Sequence, residues 1–148
     1  MKFTKIFFIT LIFFLSSHIA SYANQGVEEI IKGRKAMFSE NYQNAKKISI
    51  LLKSNKIEEA KPLMKKMSDN YKKLLDYFPE NTKEGFKTEA LPSIWESKDE
   101  FNALMQKASE DMIKLAKAID TADDLGAAQK KLMWNNCSAC HKKFRAPH

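Results

Sequence analysis

Beyond residue 26, apolar side chains recur along the chain in steps of three and four, and no stretch alternates apolar with polar long enough for a strand. A first stripe joins Val27, Ile30, Ile31, Met37, Phe38, Ala45, Ile48 and Leu52, with Arg34 set among them. A second runs through Leu63, Met64, Met67, Tyr71, Leu74, Leu75 and Phe78. A third takes in Phe101, Leu104, Met105, Ala108, Met112, Leu115 and Ile119, and Leu125, Ala128 and Leu132 begin a fourth. Asn55 is expected to cap the second helix. Ser97-x-x-Glu100 and Thr121-x-x-Asp124 read as capping boxes for the third and fourth. Pro62 either kinks the second helix or marks a late start. Phe78–Thr82 stops that helix, and an aperiodic segment follows through Gly85 and Pro92, long enough to cross an end of a bundle. Four amphipathic helices, two short turns and one longer loop predict an all-α, antiparallel four-helix bundle. No repeat or second domain is visible.

The first residues read differently. Lys2 and Lys5 precede an apolar run, Ile6–Leu15, broken only by Thr10, and Ser21-Tyr22-Ala23 offers small residues for cleavage. This pattern predicts a secretory signal over residues 1–23, cleaved after about Ala23, and a single domain over 24–148. The run falls well short of the roughly 20 apolar residues of a membrane span. No cysteine lies beside the cleavage site, which argues against a lipid anchor. Losing Lys2 and Lys5 lowers the net charge from +7 to +5. The remaining lysines are dispersed and interleaved with glutamates, as on solvated helix faces, so no nucleic-acid partner is expected. The mild positive field suits acidic redox partners or anionic membrane surfaces.

Both cysteines of the chain stand in its last dozen residues, in Asn135-Asn136-Cys137-Ser138-Ala139-Cys140-His141. On a continuous helix Met133, Cys137, Cys140, His141 and Phe144 share one face, expected to point into the bundle. A disulfide between positions three apart closes a tiny loop and constrains little. A thioredoxin-like pair belongs beside a sheet, and none is predicted. Zinc needs about four ligands, whereas only His141 and His148 accompany the two thiols after the leader is removed. C-x-x-C-H in an exported protein is the attachment pattern of a c-type haem. The two thiols form thioethers with the porphyrin vinyl groups, and the adjoining imidazole reaches iron as the axial ligand. Cys137 and Cys140 are thus the expected attachment residues for one haem c, and His141 the expected proximal ligand.

With these residues in view, the chain resembles the class II c-type cytochromes, which comprise cytochrome c′ and cytochrome c-556. These are periplasmic four-helix bundles with haem near the C-terminus. Arg34-Lys35-Ala36-Met37-Phe38 is similar to the signature of their first helix. Phe78–Thr82 and Leu91–Trp95 are similar to the segments around their second-to-third helix loop, and Cys137–Arg145 to their attachment site. The resemblance implies that Arg34 pairs with a haem propionate and that Arg145 lies near the proximal face. Arg34 interrupts an apolar stripe, so a buried guanidinium there needs an anionic partner unless it snorkels.

By the same resemblance, the residue four after Arg34 decides the chemistry. Phe38 occupies it and has no lone pair for iron, so an apolar lid over five-coordinate iron is expected. Met37 is the alternative ligand if the helix register shifts by one, which rotates it by about 100°. The other core-spaced methionines read as packing. The expected function is one-electron transfer among periplasmic redox proteins. The alternatives are binding of NO or CO as in cytochrome c′, and a six-coordinate cytochrome c-556 with Met37 bound. An enzymatic role is not expected, because no distal His or acid stands ready to protonate a peroxide. The family also implies a homodimer through the first two helices, where Tyr42 is a candidate exposed contact.

Overall fold

The computed structural model describes the backbone of residues 3–147 and the side chains of residues 26–147. The expected leader over residues 1–23 lies outside the residues whose side chains are described. Among the described residues six α-helices form in order: α1 (Phe3–Lys53), α2 (Ile57–Leu74), α3 (Ser93–Glu96), α4 (Lys98–Ala118), α5 (Leu125–Gln129) and α6 (Asn135–Phe144). A 3₁₀ turn, Glu80–Thr82, lies in the crossing loop. A π-turn, Lys130–Trp134, joins α5 to α6. The long elements α1, α2, α4 and the α5–α6 unit make the expected four-helix bundle. α2 packs on both α1 and α4, and α4 packs on the π-turn and α6.

The apolar stripes become the core. Ile48, Met64, Met67, Leu74, Phe101, Met112, Leu115 and Met133 are buried together in one core. Each fully buried side chain of this size contributes about 1.5–3 kcal/mol relative to exposure. No helix among the described residues is long and apolar enough to cross a membrane.

Helix ends depart from the sequence expectations. Asn55 does not cap α2. It adopts φ 56° and terminates α1 instead, with Lys56 N–H bonding Leu51 O at 2.8 Å and Asn55 N–H bonding Leu52 O at 3.1 Å. That pair of bonds is a Schellman motif, and asparagine tolerates its left-handed position better than most residues. α2 starts at Ile57 with Pro62 inside it, which removes the late start as an alternative. Pro62 is exposed, so the Glu58 carbonyl that loses its helical donor can turn towards water. Ser97 is the N-cap of α4 but makes no side-chain cap bond. Asp124, rather than Thr121, caps the last unit, its Oδ1 accepting from Ala127 N at 2.9 Å.

The fourth helix is not continuous. The π-turn adds a residue to one helical turn, so the face set by Leu125 and Ala128 does not extend unchanged to Cys137. Asn136 and Phe144 are buried, Cys137 and Cys140 half-buried, and His141 exposed. The expectation that thiols and imidazole all project into the core is therefore corrected: they border an open cavity beside it.

Candidate functional site

The crossing loop is ordered by what it holds. Trp95 Nε1 donates to Phe78 O and Pro79 O at 3.1 and 3.2 Å. Gly85, Phe86 and Lys87 all take left-handed backbone angles, a tight reversal that brings Thr88 back towards α1. The loop then pairs with the C-terminal segment. Leu91 N–H bonds Phe144 O at 3.1 Å, Ala146 N–H bonds Glu89 O at 2.8 Å, and Ser93 Oγ donates to Lys143 O at 2.7 Å. These bonds fix the end of α6 on α3 and the loop.

A cavity of about 790 Å³ opens between α1 and α6, closed behind by α2, α4 and the loop. That volume lies within the range of about 300–1,000 Å³ usual for cofactor-sized ligands. Its α1 wall carries Arg34, Phe38, Asn41 and Ala45; its α6 wall carries Cys137, Cys140, His141 and Phe144. Behind it a row of aromatic edge contacts runs from Phe38 to Phe78 (6.4 Å between centroids), to Phe101 (4.7 Å) and to Phe144 (5.4 Å). Such pairs add about 0.5–1.5 kcal/mol each beyond burial and set the ring orientations. Met37 packs on the core but does not contribute to the cavity wall.

Cys137 and Cys140 lie at the cavity edge and are not joined to one another. Burial pushes both above their ordinary range, Cys140 to about 11, so each is protonated at neutral pH. Thiol exchange requires the thiolate, which weakens the thioredoxin-like reading. No group of three or more His, Cys, Asp or Glu gathers among the described residues, so a zinc site lacks ligands. Tyr71, missed by the sequence reading as a site residue, lines the cavity from α2. Burial first, and then the facing Cys137, hold its phenol well above its usual range.

Arg34 is 2 % exposed and does not snorkel. Its Nη1 donates to Thr82 Oγ1 at 2.9 Å and Tyr77 O at 3.2 Å. Nη2 donates to Thr82 O at 2.9 Å and Thr88 Oγ1 at 2.7 Å. The guanidinium also lies 4.6 Å from the Phe78 ring centroid. All four acceptors are neutral oxygens. Burial lowers its pKa to about 10, which still leaves it charged at neutral pH. A buried cation with neutral partners, on the wall of a cavity, is matched to an anionic ligand group.

Arg145 follows α6 in extended conformation instead of continuing its last turn. Its side chain returns to His141, with Nη1 3.4 Å from Nδ1 and 3.5 Å from Nε2, while Nε lies 3.7 Å from Glu89 Oε2. The cavity thus holds two thiols three residues apart, an adjacent imidazole, an uncompensated cation at the far end and an apolar wall between. A haem fits these residues.

A single-haem bundle of the class II c-type kind is the class that this fold and site define. A sequence profile of the family described as Cytochrome C′ matches residues 29–145. The chain is 33 % identical over 127 residues to the cytochrome c′ of Rhodopseudomonas palustris, covering 80 % of this chain and 82 % of that one. It is 29 % identical over 119 residues to the cytochrome c′ of Rhodospirillum rubrum, covering 78 % and 81 %. The solved structure of the Rhodopseudomonas palustris protein superposes with a TM-score of 0.69 at 30 % identity, over 80 % of this chain and 97 % of that one. In fold, the cytochrome c′ of Thermochromatium tepidum is similar as well, with a TM-score of 0.70 at 22 % identity over 82 % and 97 %. The chain belongs to the cytochrome c′ family. Its cofactor is a covalent haem c.

Proposed function

We propose that this protein is an exported, periplasmic one-electron carrier with five-coordinate, histidine-ligated iron, its leader removed after about Ala23. Haem c supplies a one-electron iron couple and, when five-coordinate, a vacant coordination position. Cys137 and Cys140 hold the cofactor through thioethers, and His141 supplies the proximal nitrogen. Arg34 faces a propionate, and its four neutral acceptors fix the guanidinium in place beforehand, so little side-chain entropy is lost on pairing. Arg145 packs by the proximal imidazole and biases access to that side. Phe38 covers the opposite side with a ring that excludes water and donates no lone pair. The protein acts without catalytic turnover, and its partners are periplasmic redox proteins.

The observation that carries this reading is the division of labour between neighbours on α1: Phe38 lines the cavity, while Met37 packs outside it. Absorption and electron paramagnetic resonance spectra of the ferric holoprotein test it. High-spin iron, unchanged by Met37→Ala, is expected. A sulfur-to-iron charge-transfer band abolished by Met37→Ala would instead establish the six-coordinate cytochrome c-556 alternative.

The same apolar, open wall favours a second reading, a protein that takes up NO or CO at the vacant position. Stopped-flow mixing of the ferrous holoprotein with NO discriminates the two roles. Rapid, tight uptake supports gas binding, whereas exchange of electrons with a periplasmic redox protein faster than gas uptake supports the carrier. Size-exclusion chromatography with light scattering checks the homodimer through the first two helices, where Tyr42 is exposed.

A further inference from the structure

A chain of side-chain hydrogen bonds runs through α1 and α2 to the first attachment residue, and each member fixes the direction of the next. Glu40 is a carboxylate and only accepts, so Asn70 offers it Nδ2, at 2.7 Å. The same Nδ2 donates to Asn41 Oδ1 at 2.9 Å. Asn41 keeps its own Nδ2 for its other partner, the Tyr71 phenol, and an amide nitrogen only donates. The phenol oxygen therefore accepts from Asn41. Its proton is left for the second side chain that it meets, Cys137.

Tyr71, Asn41 and Cys137 come together at the cavity wall, where Tyr71 is 7 % exposed and Asn41 3 %. Burial keeps bulk water from competing for the phenol proton. Haem attachment makes the direction of this bond permanent. A thiol can donate or accept, whereas a thioether sulfur carries no proton and only accepts, weakly. The hydroxyl facing it keeps that bond, since a buried donor left unmade costs about 1–3 kcal/mol. Cys140 is shifted by burial and by Cys137, whereas Cys137 also receives the phenol. The two thioethers are therefore chemically unequal.

We propose that Tyr71 is a positioning residue for the haem: its hydroxyl donates to the sulfur of the Cys137 thioether, fixing that edge of the ring and raising the reduction potential. An O–H dipole with its proton towards the haem edge favours the state that carries the extra electron. Hydrogen bonding around a haem is one of the means by which a protein sets its potential. Glu40, Asn70 and Asn41 hold the phenol so that the dipole cannot reverse. This rests on haem attached at Cys137 and not on the number of iron ligands, so it holds for the carrier and the gas-binding readings alike.

The test compares the covalently loaded holoprotein with its Tyr71→Phe variant, which keeps the ring and removes only the hydroxyl. Mass spectrometry first verifies that both carry haem on both cysteines. Redox titration is expected to give the variant a more negative midpoint, by about threefold in the reduction equilibrium, or about 28 mV for one electron. Resonance Raman spectra are expected to show a thioether carbon–sulfur mode that shifts in D2O in the unsubstituted protein and not in the variant. Either an unchanged midpoint or carbon–sulfur modes insensitive to D2O overturns the assignment, even where the variant loses stability, because packing alone moves neither. If Tyr71→Phe does not accumulate, the unsubstituted protein decides by the same D2O comparison. Spin state is read separately by electron paramagnetic resonance, so failure here leaves the five-coordinate reading standing.

Discussion

Asn136 Nδ2 donates to Asp111 Oδ2 at 3.0 Å, tying the residue before Cys137 on α6 to the middle of α4. The same amide donates to Leu132 O at 2.9 Å, within the π-turn. Lys107 and Lys114 also hydrogen-bond Asp111, whose side chain is 3 % exposed. The register of the attachment helix is therefore set by a carboxylate that the fold buries among donors.

Asp111 gives the protein a pH-dependent tether. Burial by itself pushes the Asp111 carboxyl up, but the hydrogen bonds from Lys107, Asn136 and Lys114 outweigh it and hold the group below its ordinary value. A depressed native pKa contributes stability that is complete above the unfolded value of about 3.9 and is lost as pH falls through the native one. Asp111→Asn is therefore expected to lower the melting temperature at pH 7, and the gap to the unsubstituted protein is expected to close below about pH 4. Melts followed by circular dichroism between pH 7 and pH 2 measure it. A gap constant across that range would show that the tether is not ionic.

Arg34 holds the loop as well as facing the cavity. In Arg34→Met the Tyr77 and Thr82 carbonyls and two threonine hydroxyls lose their donor, a cost of roughly 2–4 kcal/mol. Arg34→Lys is expected to restore little of it, because one ammonium cannot reproduce a planar fork over four acceptors. Urea unfolding of the two variants gives the comparison. A lysine variant as stable as the parent would mean that charge, rather than geometry, supports the loop.

The two helix starts separate what a motif suggests from what the backbone permits. Asp124→Ala removes a formed cap and is expected to cost about 1 kcal/mol. Ser97→Ala removes a hydroxyl that makes no cap bond and is expected to change stability by less than about 0.5 kcal/mol. Denaturant midpoints of both variants, at unchanged slope, report the difference.

The periodic apolar residues made the bundle legible in the sequence, since a three-to-four spacing has few packed solutions. Cys137, Cys140 and His141 were legible because their chemistry requires adjacency. The π-turn was not legible: Lys130–Trp134 differs from an α-helical turn only in hydrogen-bond closure, which packing against α4 decides. Neither was the role of Asn55, because asparagine suits both an N-cap and a left-handed helix end. Asn41 and Tyr71 escaped as site residues for a different reason. Each sits at ordinary helical spacing, and only the tertiary fold shows that they line a cavity rather than pack into the core.

Phe38 offers the sharpest single-residue control of the site. Its ring is only partly buried, so Phe38→Ala is expected to cost roughly 1–2 kcal/mol, less than the 3–5 of a fully enclosed phenylalanine. The edge contact with Phe78 fixes the orientation of the ring, so under the proposed lid role it would act as a barrier to entry. Removing it is expected to speed CO association with the ferrous holoprotein on the order of tenfold, equivalent to about 1.4 kcal/mol of barrier. Flash photolysis measures the rate. Phe38→Met supplies the complementary outcome, because a thioether at this wall position is within the cavity that Met37 does not line. That variant is expected to convert high-spin ferric iron to low-spin, and persistence of the high-spin spectrum would mean that α1 stands too far from the iron for any side chain at this position to coordinate it.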